Sequence, residues 1–116
     1  MHEMSILTNV VDIVLKYAED NGAERVCGVS LVVGEMRDVV DELMESCFQF
    51  LCRDTIAEGA TLSMTKVPAR AQCGDCKLVF PVDVHGKGRP TCPDCGSGNL
   101  TIKTGREFLI QSIEIA

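Results

Sequence analysis

Tryptophan is absent from this 116-residue chain, and only one Tyr and four Phe are present. Any core must therefore be aliphatic, built from Val, Ile, Leu, Met and buried Cys. Basic charge is also short: eleven Lys/Arg stand against seventeen Asp/Glu, for a net charge of −6. That balance argues against nucleic acid as the main partner, because phosphate binding needs a basic face. No apolar run approaches the roughly 20 residues of a membrane span. Residues 1–20 lack the basic start of a secretory signal, and Asp12, Lys16, Glu19 and Asp20 interrupt their apolar positions. Histidine is limited to His2 and His85, and no Ser/His or Cys/His pairing of a nucleophilic enzyme is evident. A cytoplasmic protein without its own catalytic site, and without a nucleic-acid or membrane partner, is expected.

What charge there is lies unevenly. Residues 1–69 hold five Lys/Arg and twelve Asp/Glu, a net of −7. Residues 70–106 hold six and three, a net of +3, and residues 107–116 carry −2. Two acidic ends thus flank a basic insert.

Periodicity marks the elements. Leu7, Val10, Val11, Val14 and Ala18 recur at three- and four-residue steps and predict a helix over 4–20. Ile6, Ile13 and Tyr17 widen its apolar face, and Asn21-Gly22 is a stop signal. Residues 24–34 alternate as a strand through Cys27, Val29, Leu31 and Val33. A second helix is predicted over 38–58, with Asp38 as N-cap and an apolar stripe of Val40, Leu43, Met44, Cys47, Phe48, Leu51 and Thr55. Residues 61–67 form a strand stopped by Pro68. Residues 106–115 form the last, with Leu109, Ile113 and Ile115 on one side. Between them, residues 70–105 are rich in Cys, Gly, Pro and Lys, and their apolar runs are too short for a core of their own.

The expected fold is α+β: two helices packed on a small β-sheet, with an inserted four-cysteine domain of zinc-ribbon type. Residues 1–69 plus 106–116 would be one discontinuous domain and residues 70–105 the zinc-binding one.

Four of the seven cysteines form the spacing C-x2-C-x15-C-x2-C at Cys73, Cys76, Cys92 and Cys95. Each C-x-x-C turn presents two thiolates on one side of the backbone, and the intervening loop lets the turns face each other around one zinc. Four sulfurs close the coordination sphere, so the role is structural. Pro93 helps to set the second turn, and Gly96 can adopt a positive φ that aims N–H groups at sulfur. An iron–sulfur cluster or a redox dithiol pair is the rival reading of these cysteines. Cys27, Cys47 and Cys52 fall at mostly apolar positions and read as small core hydrophobes. His85 occupies a Gly-rich tip of the loop, as an exposed polar residue or a stand-in ligand.

The amino terminus has chelating potential. Met1 is expected to remain, because His2 is not a small residue. The α-amine, the His2 amide and the His2 imidazole can close two adjoining rings on a metal, with Glu3 supplying a fourth donor through its amide or carboxylate. Planar nitrogen and oxygen ligation suits Ni(II) or Cu(II).

The opening Met1-His2-Glu3-Met4-Ser5, Val33-Gly34-Glu35-Met36 at the end of the first strand, both C-x-x-C units and the terminal strand together resemble the HypA/HybF family of hydrogenase nickel-incorporation proteins. The resemblance covers essentially the whole chain. Arg37-Asp38 departs from the Ser-Gly pair that many members carry there, and Asp38 and Asp41 are not assigned to the site.

The resemblance implies a nickel metallochaperone. Met1, His2 and Glu3 would bind transient Ni(2+), and Cys73, Cys76, Cys92 and Cys95 would bind structural Zn(2+). It further implies delivery for maturation of [NiFe]-hydrogenase, with the HypB GTPase and the hydrogenase large subunit or its maturation complex as partners. A role in urease maturation and a homodimer are left open. The rival reading is a zinc-ribbon module that binds nucleic acid through Arg70, Lys77, Lys87, Arg89, Lys103 and Arg106, although only Phe80 supplies an interleaved aromatic.

Overall fold

A computed structural model describes residues 3–83, 86 and 88–116. The order is α1 (Glu3–Asp20), β1 (Val26–Gly34), a single 3-10 turn (Glu35–Arg37), α2 (Asp41–Cys52), β2 (Thr61–Val67), β3 (Arg70–Cys73), β4 (Val79–Pro81), β5 (Leu100–Thr104) and β6 (Phe108–Ile115). The strands form two three-stranded sheets, ordered β2-β1-β6 and β4-β3-β5. This is the expected α+β class with two helices. No helix among the described residues is long and apolar enough to cross a membrane.

The chain divides into two compact units. The first holds the chain up to Val32, Asp38–Thr65 and Leu109–Ala116; the second holds Val33–Arg37 and Lys66–Phe108.

In the first unit, α1 buries Leu7, Val10, Val11, Val14 and Ala18, the stripe its spacing predicts, together with Glu3. The wider face fails: Ile13 and Tyr17 are 55% and 43% exposed. Three- and four-residue steps select one stripe about 100° wide, and these two side chains lie beyond it. The helix ends as Asn21-Gly22 predicts. Gly22 takes a φ of +64°, its N–H donates to Glu19 O at 3.1 Å, and the Ala23 N–H donates to Ala18 O at 2.9 Å. Those two bonds define a Schellman ending, which a glycine in the left-handed region allows. At the far edge, Arg25 and Ala116 exchange backbone hydrogen bonds of 3.2 and 2.8 Å.

The second helix is shorter than its apolar pattern predicts. It starts at Asp41 because Asp38 is not a cap: Asp38 has a φ of +52°, and Val40 holds the cap position without a side-chain bond. It stops at Cys52 because Asp54 enters the left-handed region at φ +63°, which Asp tolerates better than most residues. Thr55 and Glu58 then close the turn, through Thr55 Oγ1–H to Cys52 O at 2.6 Å and Asp54 N–H to Glu58 Oε2 at 2.7 Å. The buried stripe is Met44, Phe48 and Cys52. Val40 and Leu43, placed on it by the sequence pattern, are exposed.

The last strand also departs from expectation. Leu109 is exposed, and the alternation changes phase across Gln111-Ser112, so Phe108 and Ile110 share the half-buried state of Ile113 and Ile115.

The second unit has a core, contrary to the expectation for residues 70–105. Ala71, Cys73, Phe80 and Cys92 are buried, with Val82, Leu100 and Ile102 packed against them. Strand β3 pairs antiparallel with β4 and with β5, and the alternation of Ala71 and Cys73 with Arg70 and Gln72 points the small residues inward. The core is made possible by pairing across the sequence, which short runs do not reveal. In the same unit the backbones of Gly34 and Gly105 lie so close that a Cβ on Gly34 would overlap the Gly105 carbonyl. Neighbouring bonds join the pieces: Gly34 N–H to Glu107 O at 2.7 Å, Met36 N–H to Gly105 O at 2.8 Å, and Ala69 N–H to Glu35 Oε1 at 2.9 Å.

Candidate metal centre

The four predicted cysteines converge. Cys73 ends β3 and Cys76 lies in the turn to β4, while Cys92 and Cys95 precede β5. All four sulfurs lie within 4.8 Å of one another. Two close approaches cross between the turns, Cys73 Sγ to Cys95 Sγ and Cys76 Sγ to Cys92 Sγ, each 3.5 Å. A disulfide requires about 2.05 Å, so these are separate thiols. A tetrahedron with metal–sulfur bonds of about 2.3 Å has sulfurs about 3.8 Å apart. The spacing therefore suits a tetrahedral four-sulfur cage.

The two turns repeat one geometry. Lys77 N–H donates to Cys73 O at 3.0 Å, and Gly96 N–H to Cys92 O at 2.9 Å. The residue after each second cysteine sits in the left-handed region, Lys77 at φ +69° and Gly96 at +74°. Asp75 and Cys76 N–H groups each approach Cys73 Sγ at 3.4 Å.

Those donors divide the thiols. The Cys76 N–H, opposed by burial and aided by the Asp75 N–H, holds Cys73 down at about 6. The Cys95 N–H has the same effect on Cys92, lowering it against burial with help from Asp94. Cys76 goes the other way, to about 12: the Leu78 N–H favours its thiolate, but the sulfur of Cys92, burial and the sulfurs of Cys73 and Cys95 outweigh it. Cys95 is likewise raised: the Ser97 N–H favours its thiolate, but the sulfur of Cys73, burial and the sulfur of Cys92 outweigh it. One cysteine in each turn is thus shifted toward the thiolate, and its cross-turn neighbour toward the protonated thiol. A divalent cation among the four sulfurs removes this conflict, since it favours the thiolate form of each.

The other predicted site residues fare differently. Met1, His2 and His85 lie outside the described residues. Glu3 opens α1 and is 6% exposed, with its Oε2 accepting the Val40 N–H at 2.9 Å. That bond, followed by the Glu3 N–H, lowers its carboxyl pKa. Cys52 is fully buried, as its apolar position suggests, and burial pushes its thiol up to about 11. Cys27 and Cys47 are half-buried. Sequence reasoning missed Asp75, Ser97 and Asn99, which bond across the turns. A hydroxyl and an amide near a C-x-x-C unit are a weak signal, because their partners lie far along the chain.

A helix-and-sheet unit joined to a second unit that carries a four-cysteine cage defines a metal-handling protein. Residues 1–115 match the family described as "Hydrogenase/urease nickel incorporation, metallochaperone, hypA". The chain is 41% identical over 115 residues to the hydrogenase maturation factor HypA of Geobacter sulfurreducens, covering 99% of each. It is 39% identical over 114 residues to the hydrogenase maturation factor HybF of Morganella morganii, covering 98% of each. Its fold is similar to a solution structure of a HypA protein, with a TM-score of 0.73, 25% identity and coverage of 100% and 97%. It is also similar to the solution structure of the Ni metallochaperone HypA from Helicobacter pylori, with a TM-score of 0.64, 25% identity and coverage of 99% and 97%. The chain belongs to the HypA family of nickel-incorporation metallochaperones.

Proposed function

We propose that this chain carries Ni(II) as cargo at its amino terminus and delivers it for maturation of [NiFe]-hydrogenase. The observation that carries this reading is the family match, which begins at residue 1 and so includes Met1-His2-Glu3. The α-amine and amide of the opening residues, the His2 imidazole and a Glu3 donor bind the nickel. Such a site is labile, because its amine and amide nitrogens must lose protons to bind, and lability suits a carrier. Cys73, Cys76, Cys92 and Cys95 hold zinc. The zinc offsets half of their charge and joins the turns; with four sulfurs bound it leaves no open position for hydrolysis, in keeping with a protein that is not an enzyme.

Residues 1–69 plus 106–116 serve nickel and partner binding, and residues 70–105 serve zinc binding. The protein acts in the cytoplasm with the HypB GTPase and with the hydrogenase large subunit or its maturation complex, and urease maturation is a second destination for the nickel. Neither nucleic acid nor membrane is a partner in this reading.

Metal analysis and nickel titration of untagged protein test it. The expected result is one tightly held zinc and one exchangeable nickel, with the nickel lost in His2→Ala and after addition of two residues before Met1, and the zinc kept in both. Nickel binding that survives both changes would overturn the terminal site.

A further inference from the structure

Asp75 is an awkward residue to find inside a metal turn. A cage of four thiolates around a divalent cation carries a net −2, and a carboxylate beside it adds repulsion. The structure shows what its side chain does there. Ser97 Oγ–H donates to Asp75 Oδ2, across 22 residues. The Asn99 N–H donates to Ser97 Oγ at 3.1 Å, and the Gly74 N–H donates to Asn99 O at 2.7 Å. Since Gly74 and Asp75 are adjacent in the chain, these bonds close a ring that runs from the first cysteine turn to the far side of the second and back.

Two further contacts fit this ring into the cage. The Asp75 N–H approaches Cys73 Sγ at 3.4 Å, so fixing the Asp75 side chain also fixes a donor aimed at a sulfur. The Cys92 N–H donates to Ser97 O at 2.9 Å, so fixing Ser97 also fixes the start of the second turn. Gly74 admits the close approach, because a Cβ there would lie 2.8 Å from Asn99 Cγ. Asp94 holds the corresponding place in the second turn and makes no such bond among the described residues. The same residue type therefore occurs twice, once with the clasp and once without it.

We propose that Asp75 and Ser97, closed through Asn99 and Gly74, are positioning residues that clasp the two cysteine turns together and slow the release of the metal. The inference rests on the reading of the four cysteines as a zinc site. Metal leaves such a cage when one turn swings away with its two sulfurs. The clasp opposes that motion without touching the metal.

The test uses the full chain loaded with zinc and measures release to an excess of a chromophoric chelator, alongside the absorption spectrum of the cobalt-substituted protein. Ser97→Ala and Asp75→Ala should each speed release about tenfold, the equivalent of one hydrogen bond. The double variant should match either single one, because both remove the same bond. Ser97→Thr, which keeps the hydroxyl, should stay near the parent rate. Asp94→Ala should be unchanged or slower, since it removes only a nearby negative charge. Cobalt spectra should stay those of a tetrahedral four-sulfur site throughout, which separates a change of release from a loss of the fold.

Multiplicative effects in the double variant, or Asp94→Ala releasing as fast as Asp75→Ala, would overturn the clasp. So would a zinc-loaded parent whose variants all release at the parent rate. A parent that takes up no zinc and shows no sulfur-to-cobalt absorption would overturn the zinc reading itself, and the clasp with it.

Discussion

Glu3 is a buried carboxylate that accepts a hydrogen bond from the backbone N–H of Val40, 37 residues away. The bond satisfies the N–H of Val40, the N-cap residue of α2, which makes no side-chain cap bond itself. It also lowers the carboxyl pKa in the folded chain. The sign of the pH effect follows. The ionised form is favoured by folding, so Glu3 stabilises the protein above the carboxyl's unfolded value near 4.5. That contribution is lost as pH falls through the lower, folded value. Glu3→Gln should therefore be less stable than the parent in urea denaturation at pH 6–7, and the difference should shrink as the pH is lowered below about 4.5. An equal gap at every pH would show that the carboxylate charge has no part in the contact. The residue could be singled out in the sequence by its place in Met1-His2-Glu3. Its role toward Val40 could not, because no local pattern links residues so far apart.

At the scale of elements, α2 separates what periodicity shows from what packing selects. Phe48 and Phe50 are two residues apart on one helix. Phe48 is fully buried, between Met44 and Cys52 along the same stripe. Phe50 is 54% exposed and lies under the Arg53 guanidinium, 4.5 Å from the ring centroid. Phe48→Ala should destabilise the chain by about 3–5 kcal/mol through lost burial and a cavity. Phe50→Ala should cost no more than about 1 kcal/mol, the value of an exposed cation–π contact. Denaturant midpoints of the two variants check the contrast, and similar losses would place Phe50 in a core as well. The sequence pattern included Met44 and Phe48 but added Val40, Leu43 and a final turn that the helix does not have. A helical stripe is a range of angles, and only the partner surface decides which part of it is covered.

For the whole molecule, the core of the second unit and the proposed zinc site coincide in part. Two of its four fully packed core residues, Cys73 and Cys92, are also members of the cage. The core and the metal centre therefore share atoms, and stripping the metal leaves two buried thiols facing two others that resist losing their protons. Structural zinc contributes on the order of 10–16 kcal/mol near neutral pH, far more than so small an apolar cluster. Chelation should abolish amide exchange protection in β3, β4 and β5 while α1 and α2 keep theirs. Hydrogen exchange on zinc-loaded and stripped protein measures this, and protection retained in β3–β5 after complete zinc loss would show that the apolar cluster suffices.

Sequence alone determined the α+β class, the buried stripe of α1 and its glycine ending, and the identity of the four cage cysteines. Each rests on local spacing: a period near 3.6, a residue tolerant of positive φ, or two C-x-x-C turns able to face each other. Tertiary structure decided the rest. It ended α2 at Cys52, changed the phase of β6, and gave residues 70–105 a core by pairing β3 with two later strands, one on either side of it in the sheet. It also brought Ser97 to Asp75 and Val40 to Glu3. These outcomes depend on groups distant in sequence meeting in space, and a backbone N–H or a hydroxyl does not encode in its neighbours which acceptor it will find.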